Sequence, residues 1–242
     1  MDWVIFTKVT AELGAVGFDG FFAFHNYNEP LANPRLRAEI THVRAGIPAA
    51  KPAIYTNGDL LTRDVVAWIS EVGVKYLRVT RYPHRADVQP TFAALDQWLV
   101  RARLRDCFTW RFDAVRQGLA AIWTDPNTGM TIEVIRPSIA TYNDRGGTAT
   151  VQQTWSPRTV PCKMTATSLS VDWRGDMKMC CNVVPEGVQH REYVVGNVAE
   201  HSLAALWDHS KMVEWRERHA RADWTRSPAC VSCAQALPET RR

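Results

Sequence analysis

Five of the six cysteines fall in two short segments. Cys162 is followed by twelve residues, Gly175, four more residues and Cys180, with Cys181 next to it; Cys230 and Cys233 come after a long gap, two residues apart. A Cys-x-x-Cys step lets two sulfurs converge, and a hairpin between Cys162 and Cys180 would bring its own two ends together. The two segments can therefore deliver four thiolates, from Cys162, Cys180, Cys230 and Cys233, to one centre. Four thiolates suit a tetrahedral zinc ion or a four-iron cluster, and spacing alone does not choose between them. If the hairpin strand continues through Cys181, that side chain faces away from Cys180, so Cys181 is expected to be a buried apolar filler. Cys107, alone in "RDCFTWRF", is expected to be the same.

Metal or redox use of thiols fits the rest of the chain. No window approaches eighteen uninterrupted apolar residues, and "MDWVIFTKVTAELG" carries charges within an amphipathic pattern. A membrane span and a secretory signal are both unexpected, and a cytoplasmic, reducing location is the default. The net charge of +4 is mild and its cations are scattered, which argues against a nucleic-acid partner.

The elements that must position the cysteines are legible as a rhythm. "DWVIFTKVTAELGAVG" reads as a helix, "FDGFFAFH" as a strand, and "NPRLRAEITHVRAG" as a helix capped by Asn33 with Pro34 in its first turn. "KPAIYTNG" and "VKYLRVTRY" read as strands around a helix capped by Thr62, and "PTFAALDQWLVRAR" as another helix. "DCFTWRF" is a possible strand, "DAVRQGLAAIW" a further helix and "GMTIEVIRP" a last strand. Alternating helices and strands predict an α/β fold of parallel strands, with ligands at the strands' C-terminal ends. Those ends direct attention to His25 to Leu31, Thr56 to Gly58, Thr80 to Tyr82 and Arg136 to Ser138. Arg81 and Arg136 could meet a substrate there, and His25 is expected to pack inside. Residues 141–160 read as a polar linker between residues 1–140 and a smaller domain at 161–242. That domain opens on a hairpin, "SLSVDWRGDMKMCC", with a two-residue Arg174-Gly175 turn, and continues through one long helix from "SLAALW" to "ARAD".

The ordered set of "FHNYNEPLANPRL", "IYTNGDLLT", the C-x₁₂-G-x₄-C hairpin, "VGNVAEHSLAALW" and the closing Cys-x-x-Cys resembles radical S-adenosylmethionine enzymes that carry a SPASM or twitch extension. The resemblance implies a partial (β/α)6 barrel lacking its first strand, followed by a hairpin-and-helix extension. It implies an auxiliary [4Fe–4S] cluster on Cys162, Cys180, Cys230 and Cys233. It also implies S-adenosylmethionine near Asn28 and Glu29, which would face the amino group, and Thr80, which would lie near the ribose. Asn28 stands where the family has a glycine and is expected to tolerate a left-handed backbone. The implied activity is oxidation or modification of a small alcohol, aminosugar or peptide, with a reductant protein as partner. The family's Cys-x-x-x-Cys-x-x-Cys loop, which makes the radical, has no counterpart among residues 1–106. The expectation is therefore a fragment or a misplaced start, which would need that loop to bind S-adenosylmethionine productively. A catalytically inactive iron–sulfur or zinc-binding protein is the alternative.

Overall fold

The computed structural model describes residues 1–82, 89–115, 118–138, 145–148, 158–184, 188–231 and 233. The chain divides into two compact units, Leu13–Thr141 and Met1–Glu12 with Tyr142–Arg242. Helix α1, Trp3–Ala15, runs across the division in sequence. Of the expected linker 141–160, only 145–148 and 158–160 lie within the described residues.

In the Leu13–Thr141 unit the rhythm becomes β1 (Phe21–Ala23), α2 (Leu36–Gly46), β2 (Lys51–Thr56), α3 (Arg63–Glu71), β3 (Tyr76–Thr80), α4 (Phe92–Arg101), β4 (Arg111–Val115), β5 (Gly118–Thr124) and β6 (Thr131–Pro137). The strands form one sheet in the order β1-β2-β3-β6-β5-β4. Strands β1, β2, β3 and β6 pair in parallel, as expected of a strand-helix-strand rhythm. Side chains alternate across it. Ile54, Leu77 and Ile132 share one register level and Thr56, Val79 and Val134 another. All six are buried, and apart from Thr56 they join Ile40, Val66, Ile69, Leu95 and Leu99 from the three helices in a single apolar cluster. Each fully buried aliphatic side chain contributes about 1.5–3 kcal/mol, so this face fixes the sheet. On the other face the residues between those levels are half-buried. Arg78 pairs with Glu133 at 3.6 Å, and the Tyr76 hydroxyl donates to the same carboxylate.

Two expectations fail here. The sheet is mixed, because β5 pairs antiparallel with both β6 and β4. The segment Gly118–Thr124 is a strand and not a helix. "GLAAIW" holds apolar residues at every step and fits either period. Its backbone is claimed instead by the long antiparallel ladder with β6, from Gly118 opposite Pro137 to Thr124 opposite Thr131. A smaller difference concerns α2, which starts at Leu36. Asn33 caps a turn ahead of it by accepting from the Arg35 N–H at 3.0 Å. The expected cap at Thr62 holds, its hydroxyl accepting from the Val65 N–H, and Thr91 caps α4 in the same way by accepting from the Ala94 N–H.

In the second unit, α5 (Met164–Thr167) precedes a three-stranded antiparallel sheet of β7 (Ser170–Val171), β8 (Asp176–Lys178) and β9 (Val194–Asn197). The β7–β8 connection is longer than expected. A turn closes from the Gly175 N–H to the Asp172 carbonyl at 3.1 Å, so Trp173 and Arg174 are its central pair. Gly175 follows at φ 91°, the left-handed step that a type I turn needs before re-entering an antiparallel ladder. The Asp172 carboxylate holds the loop by accepting from the N–H groups of Arg174 and Asp176. The expected single long helix is two, α6 (Leu203–Trp207) and α7 (Ser210–Ala220). His209 separates them because its ring accepts the Lys211 N–H and so caps α7. From α1, Glu12 accepts the Leu203 N–H at the start of α6, while Lys8 donates to the His201 carbonyl at 2.8 Å. Among the described residues no helix is long and apolar enough to cross a membrane.

Candidate metal centre

The hairpin and the C-terminal segment meet at one narrow pocket in the second unit. Cys162, Cys180, Cys181, Cys230 and Cys233 line it, with Arg158, Met164, Thr165, Asn182, Val183, His219 and Ala229. None of the five is in a disulfide. The four cysteines expected to share a centre therefore do share one surface. Backbone bonds set each of them. The Cys162 N–H donates to the His219 carbonyl at 3.0 Å, the Cys230 N–H to the Ser227 carbonyl at 2.8 Å, and the Cys233 N–H to the Cys230 carbonyl at 3.2 Å. The Cys230 bond closes a short 3₁₀ turn, Pro228–Cys230, just ahead of Cys233, and both cysteines of the Cys-x-x-Cys step line the pocket.

Burial and mutual repulsion act together on these thiols. The Cys180 thiol is pushed well up by desolvation, then by neighbouring Cys181, Cys230 and Cys233. Cys230 is pushed up to about 12, by burial first and then by Cys233 and Cys162. The thiols sense one another's charge, so they cannot all ionise without a cation among them. That is the chemistry of a thiolate metal site, and the residues fit one. No group of three or more His, Cys, Asp or Glu side chains among the described residues is arranged around a single ion. Four thiolates suit either a tetrahedral zinc ion or a four-iron cluster, and the pocket's lining holds enough sulfurs for either.

Hydrogen-bond donors surround the sulfurs. Asn182 Nδ2 donates to Cys233 Sγ at 3.6 Å. His219, only 1 % exposed, has Nε2 at 2.9 Å from Ser227 Oγ and 3.9 Å from Cys230 Sγ, and Nδ1 at 3.3 Å from Thr165 Oγ1. Burial and the nearby Arg158 guanidinium push His219 down to about 4, so its ring is neutral. Arg158 itself is buried, donating to the Val160 and Pro161 carbonyls while its own carbonyl accepts the Trp224 indole N–H. These residues were not singled out from the sequence. The signal for His219 was present, since Met212, Trp215 and His219 recur on one face of α7 and all three are buried.

Two cysteines differ from expectation. Cys181 is exposed and lines the pocket. Strand β8 stops at Lys178, so Cys180, Cys181 and Asn182 lie in a turn where strand alternation does not apply. Cys107 is half-buried in a 3₁₀ turn, its thiol donating to the Arg103 carbonyl at 3.3 Å, far from an apolar filler.

The residues expected near S-adenosylmethionine lie in the other unit, at the C-terminal edge of the parallel strands. Glu29 is tied into the chain. Its carboxylate accepts from the Thr56 hydroxyl at 2.7 Å, the Asn57 N–H at 2.9 Å and the Leu31 N–H at 3.0 Å. Thr56 also accepts the Gly58 N–H at 3.0 Å, so the loop after β1 and the turn after β2 form one network. Asn28 folds back to accept the Asn26 N–H at 2.7 Å. The left-handed residue of this loop is Tyr27, at φ 64°, and not Asn28. Thr80 is half-buried at the end of β3. It follows Val79, the register partner of Thr56, and so projects from the opposite face of the sheet and stands apart from the Glu29 network. Arg81 is engaged by Asp59 at 2.6 Å, by the Asn57 carbonyl and by the Trp98 ring at 5.3 Å. Arg136 keeps its Nε buried without a hydrogen-bond partner among the described residues. His25 is exposed, with its ring stacked on Tyr55 at 5.1 Å, and does not pack inside.

Residues 162–234 match the SPASM family, described as an iron–sulfur cluster-binding domain. The chain is 22% identical over 240 residues to the S-adenosyl-L-methionine-dependent 2-deoxy-scyllo-inosamine dehydrogenase of Niallia circulans, covering 99% of this chain and 83% of that one. Its fold is similar to the crystal structure of BtrN in complex with AdoMet and 2-DOIA, with a TM-score of 0.71, 21% identity, and coverage of 100% and 83% of the two chains. It is also similar to SeMet BtrN in an open conformation, with a TM-score of 0.63, 20% identity and coverage of 97% and 80%. The resemblance to radical S-adenosylmethionine enzymes with a SPASM extension therefore holds, by sequence in the cysteine-bearing segment and by fold along the chain.

Proposed function

We propose that this chain serves a radical S-adenosylmethionine oxidoreductase that acts on a small alcohol or aminosugar, with one auxiliary [4Fe–4S] cluster on Cys162, Cys180, Cys230 and Cys233. The observation that carries the proposal is the pocket that gathers these four thiols inside the segment matching an iron–sulfur cluster-binding family. The name of the similar dehydrogenase supports the substrate class. When bound, the cluster supplies a one-electron acceptor. The chain's own residues would hold the cluster through four thiolates, with Asn182 Nδ2 donating to Cys233 Sγ, His219 Nε2 3.9 Å from Cys230 Sγ, and Met164, Thr165 and Val183 lining the same pocket.

The sheet of the Leu13–Thr141 unit is read as a partial barrel wall. Its C-terminal strand edge, with Asn28, Glu29 and Thr80, is the proposed S-adenosylmethionine edge. The Glu29 carboxylate already has three donors, so its role there is to fix the loop, and backbone carbonyls of that loop are left to accept from an ammonium group. A reductant protein is the expected partner.

Anaerobic reconstitution with iron and sulfide, followed by metal analysis and visible absorption, tests the site. A brown protein with about four irons and four sulfides per chain is expected. A colourless protein that takes up one zinc ion would overturn the assignment. The 242 residues supply cysteines for one four-thiolate site, and that site is closed. With dithionite and S-adenosylmethionine, this polypeptide is expected to release no 5′-deoxyadenosine above a protein-free control. Steady release would show that the C-terminal cysteines play the radical-forming part instead.

A further inference from the structure

We propose that Thr165, His219 and Ser227 form a buried hydrogen-bond chain that ends on the Cys230 sulfur and raises the reduction potential of the cluster that Cys230 helps to hold. The inference rests on the cluster assignment above and adds three residues to it.

The three side chains come from α5, from the end of α7 and from the turn before Cys230. Thr165 and His219 are 1 % exposed and Ser227 is fully buried, so water does not serve them. The contacts run in line. Thr165 Oγ1 is 3.3 Å from His219 Nδ1, and His219 Nε2 is 2.9 Å from Ser227 Oγ and 3.9 Å from Cys230 Sγ, which sets the Ser227 hydroxyl between the ring and the sulfur as the donor of the last link. Ser227 stands at the N-terminus of the Pro228–Cys230 turn yet does not cap it with its side chain, which leaves the hydroxyl to this chain.

The direction of the protons follows from the last member. A thiolate only accepts, so Ser227 must donate to it. The Ser227 oxygen is then an acceptor for Nε2–H, and the bare Nδ1 accepts the Thr165 hydroxyl. One neutral tautomer of His219 satisfies every link. The reverse order would spend the Ser227 proton on Nε2 and leave the sulfur without its hydroxyl donor. Donors along such a chain polarise one another, so the effect at sulfur exceeds that of an isolated hydroxyl. Reduction places more negative charge on the cluster and its sulfurs. A donor at Cys230 favours the reduced state more than the oxidised one and shifts the potential upward. His219 also accepts the Cys162 N–H, but through its backbone carbonyl, a bond that any residue at 219 keeps.

The experiment compares the wild type with Ser227→Ala, His219→Phe, His219→Gln and Thr165→Val after anaerobic reconstitution. Iron and sulfide per chain are measured first, and then the midpoint potential by EPR-monitored titration. The expected result is a full set of loaded proteins whose potentials fall below wild type, most for Ser227→Ala, less for His219→Phe and least for Thr165→Val. His219→Gln, which keeps an N–H toward Ser227, should recover part of the shift. A loaded set with one common potential would overturn the hydrogen-bond chain and leave the cluster assignment standing. A wild type that takes up no iron and sulfide would overturn both. Should Ser227→Ala and His219→Phe fail to load, Thr165→Val decides, because Thr165 is the link farthest from Cys230 along the chain of bonds. A lowered potential there supports the chain, and an unchanged one overturns it.

Discussion

In the loop after β1, each oxygen of the Glu29 carboxylate meets donors from its own unit, namely Thr56, Asn57 and Leu31. In the cysteine pocket the buried groups are thiols that push one another's ionisation up, and the Arg158 charge beside Cys230 offsets that only in part. The first region is satisfied by polypeptide alone. The second is finished only when something positively charged sits among its sulfurs. Damage to the two should therefore look different. Substitutions at the strand edge should reduce stability and leave metal content untouched, whereas substitutions of the pocket's four expected ligand cysteines should do the reverse.

The largest contrast is expected from Cys230→Ala. Its reconstituted iron and sulfide should drop from about four each per chain to near background, while Cys107→Ala stays at wild type. Equal iron content in the two variants would dissolve the distinction. Next is Gly58→Ala in the turn after β2. Gly58 sits at φ 78°, and an added Cβ would meet Val79 Cγ1 at 2.5 Å. A left-handed alanine with that overlap should cost about 2–4 kcal/mol, read as a lower urea midpoint with unchanged iron. Glu29→Ala removes an acceptor shared by two backbone N–H groups and a hydroxyl, and should cost about 2 kcal/mol in the same assay. A loss of cluster without loss of stability in this variant would contradict the separation of roles. The smallest effect is expected from Thr62→Ala, which deletes the α3 cap to Val65 and should cost about 1 kcal/mol.

Much of this was legible in the residues. Helix α3 announced itself through its Thr62 cap and apolar spacing, and the parallel strands through short apolar runs between helices. The four converging cysteines were legible because Cys-x-x-Cys and a glycine-marked hairpin are local devices. What stayed hidden depended on partners distant in sequence. "GLAAIW" is compatible with either period, and only pairing with β6 makes it a strand. Cys181 was assigned by strand alternation, but β8 ends three residues before it. The loop after β1 took its left-handed step at Tyr27, although Asn28 is the better residue for it on intrinsic grounds. His219 shares the buried face of α7 with Met212 and Trp215, but its role depends on Ser227 and Thr165, which sequence does not place beside it.

The contact of Glu12 with the start of α6 has a consequence for the order in which the molecule forms. Residues Met1–Glu12 belong to the unit whose remaining members begin at Tyr142, whereas Leu13–Thr141 is one continuous stretch. On a ribosome, the stretch 13–141 can condense as soon as it emerges, because all its pairings are internal. The first twelve residues must wait until Leu203 has been synthesised, 191 positions later, before Glu12 finds its N–H. Contacts closed over so long a span come late and slowly. The unit that gathers the cysteines is thus the last to assemble, and it closes from both ends of the chain at once.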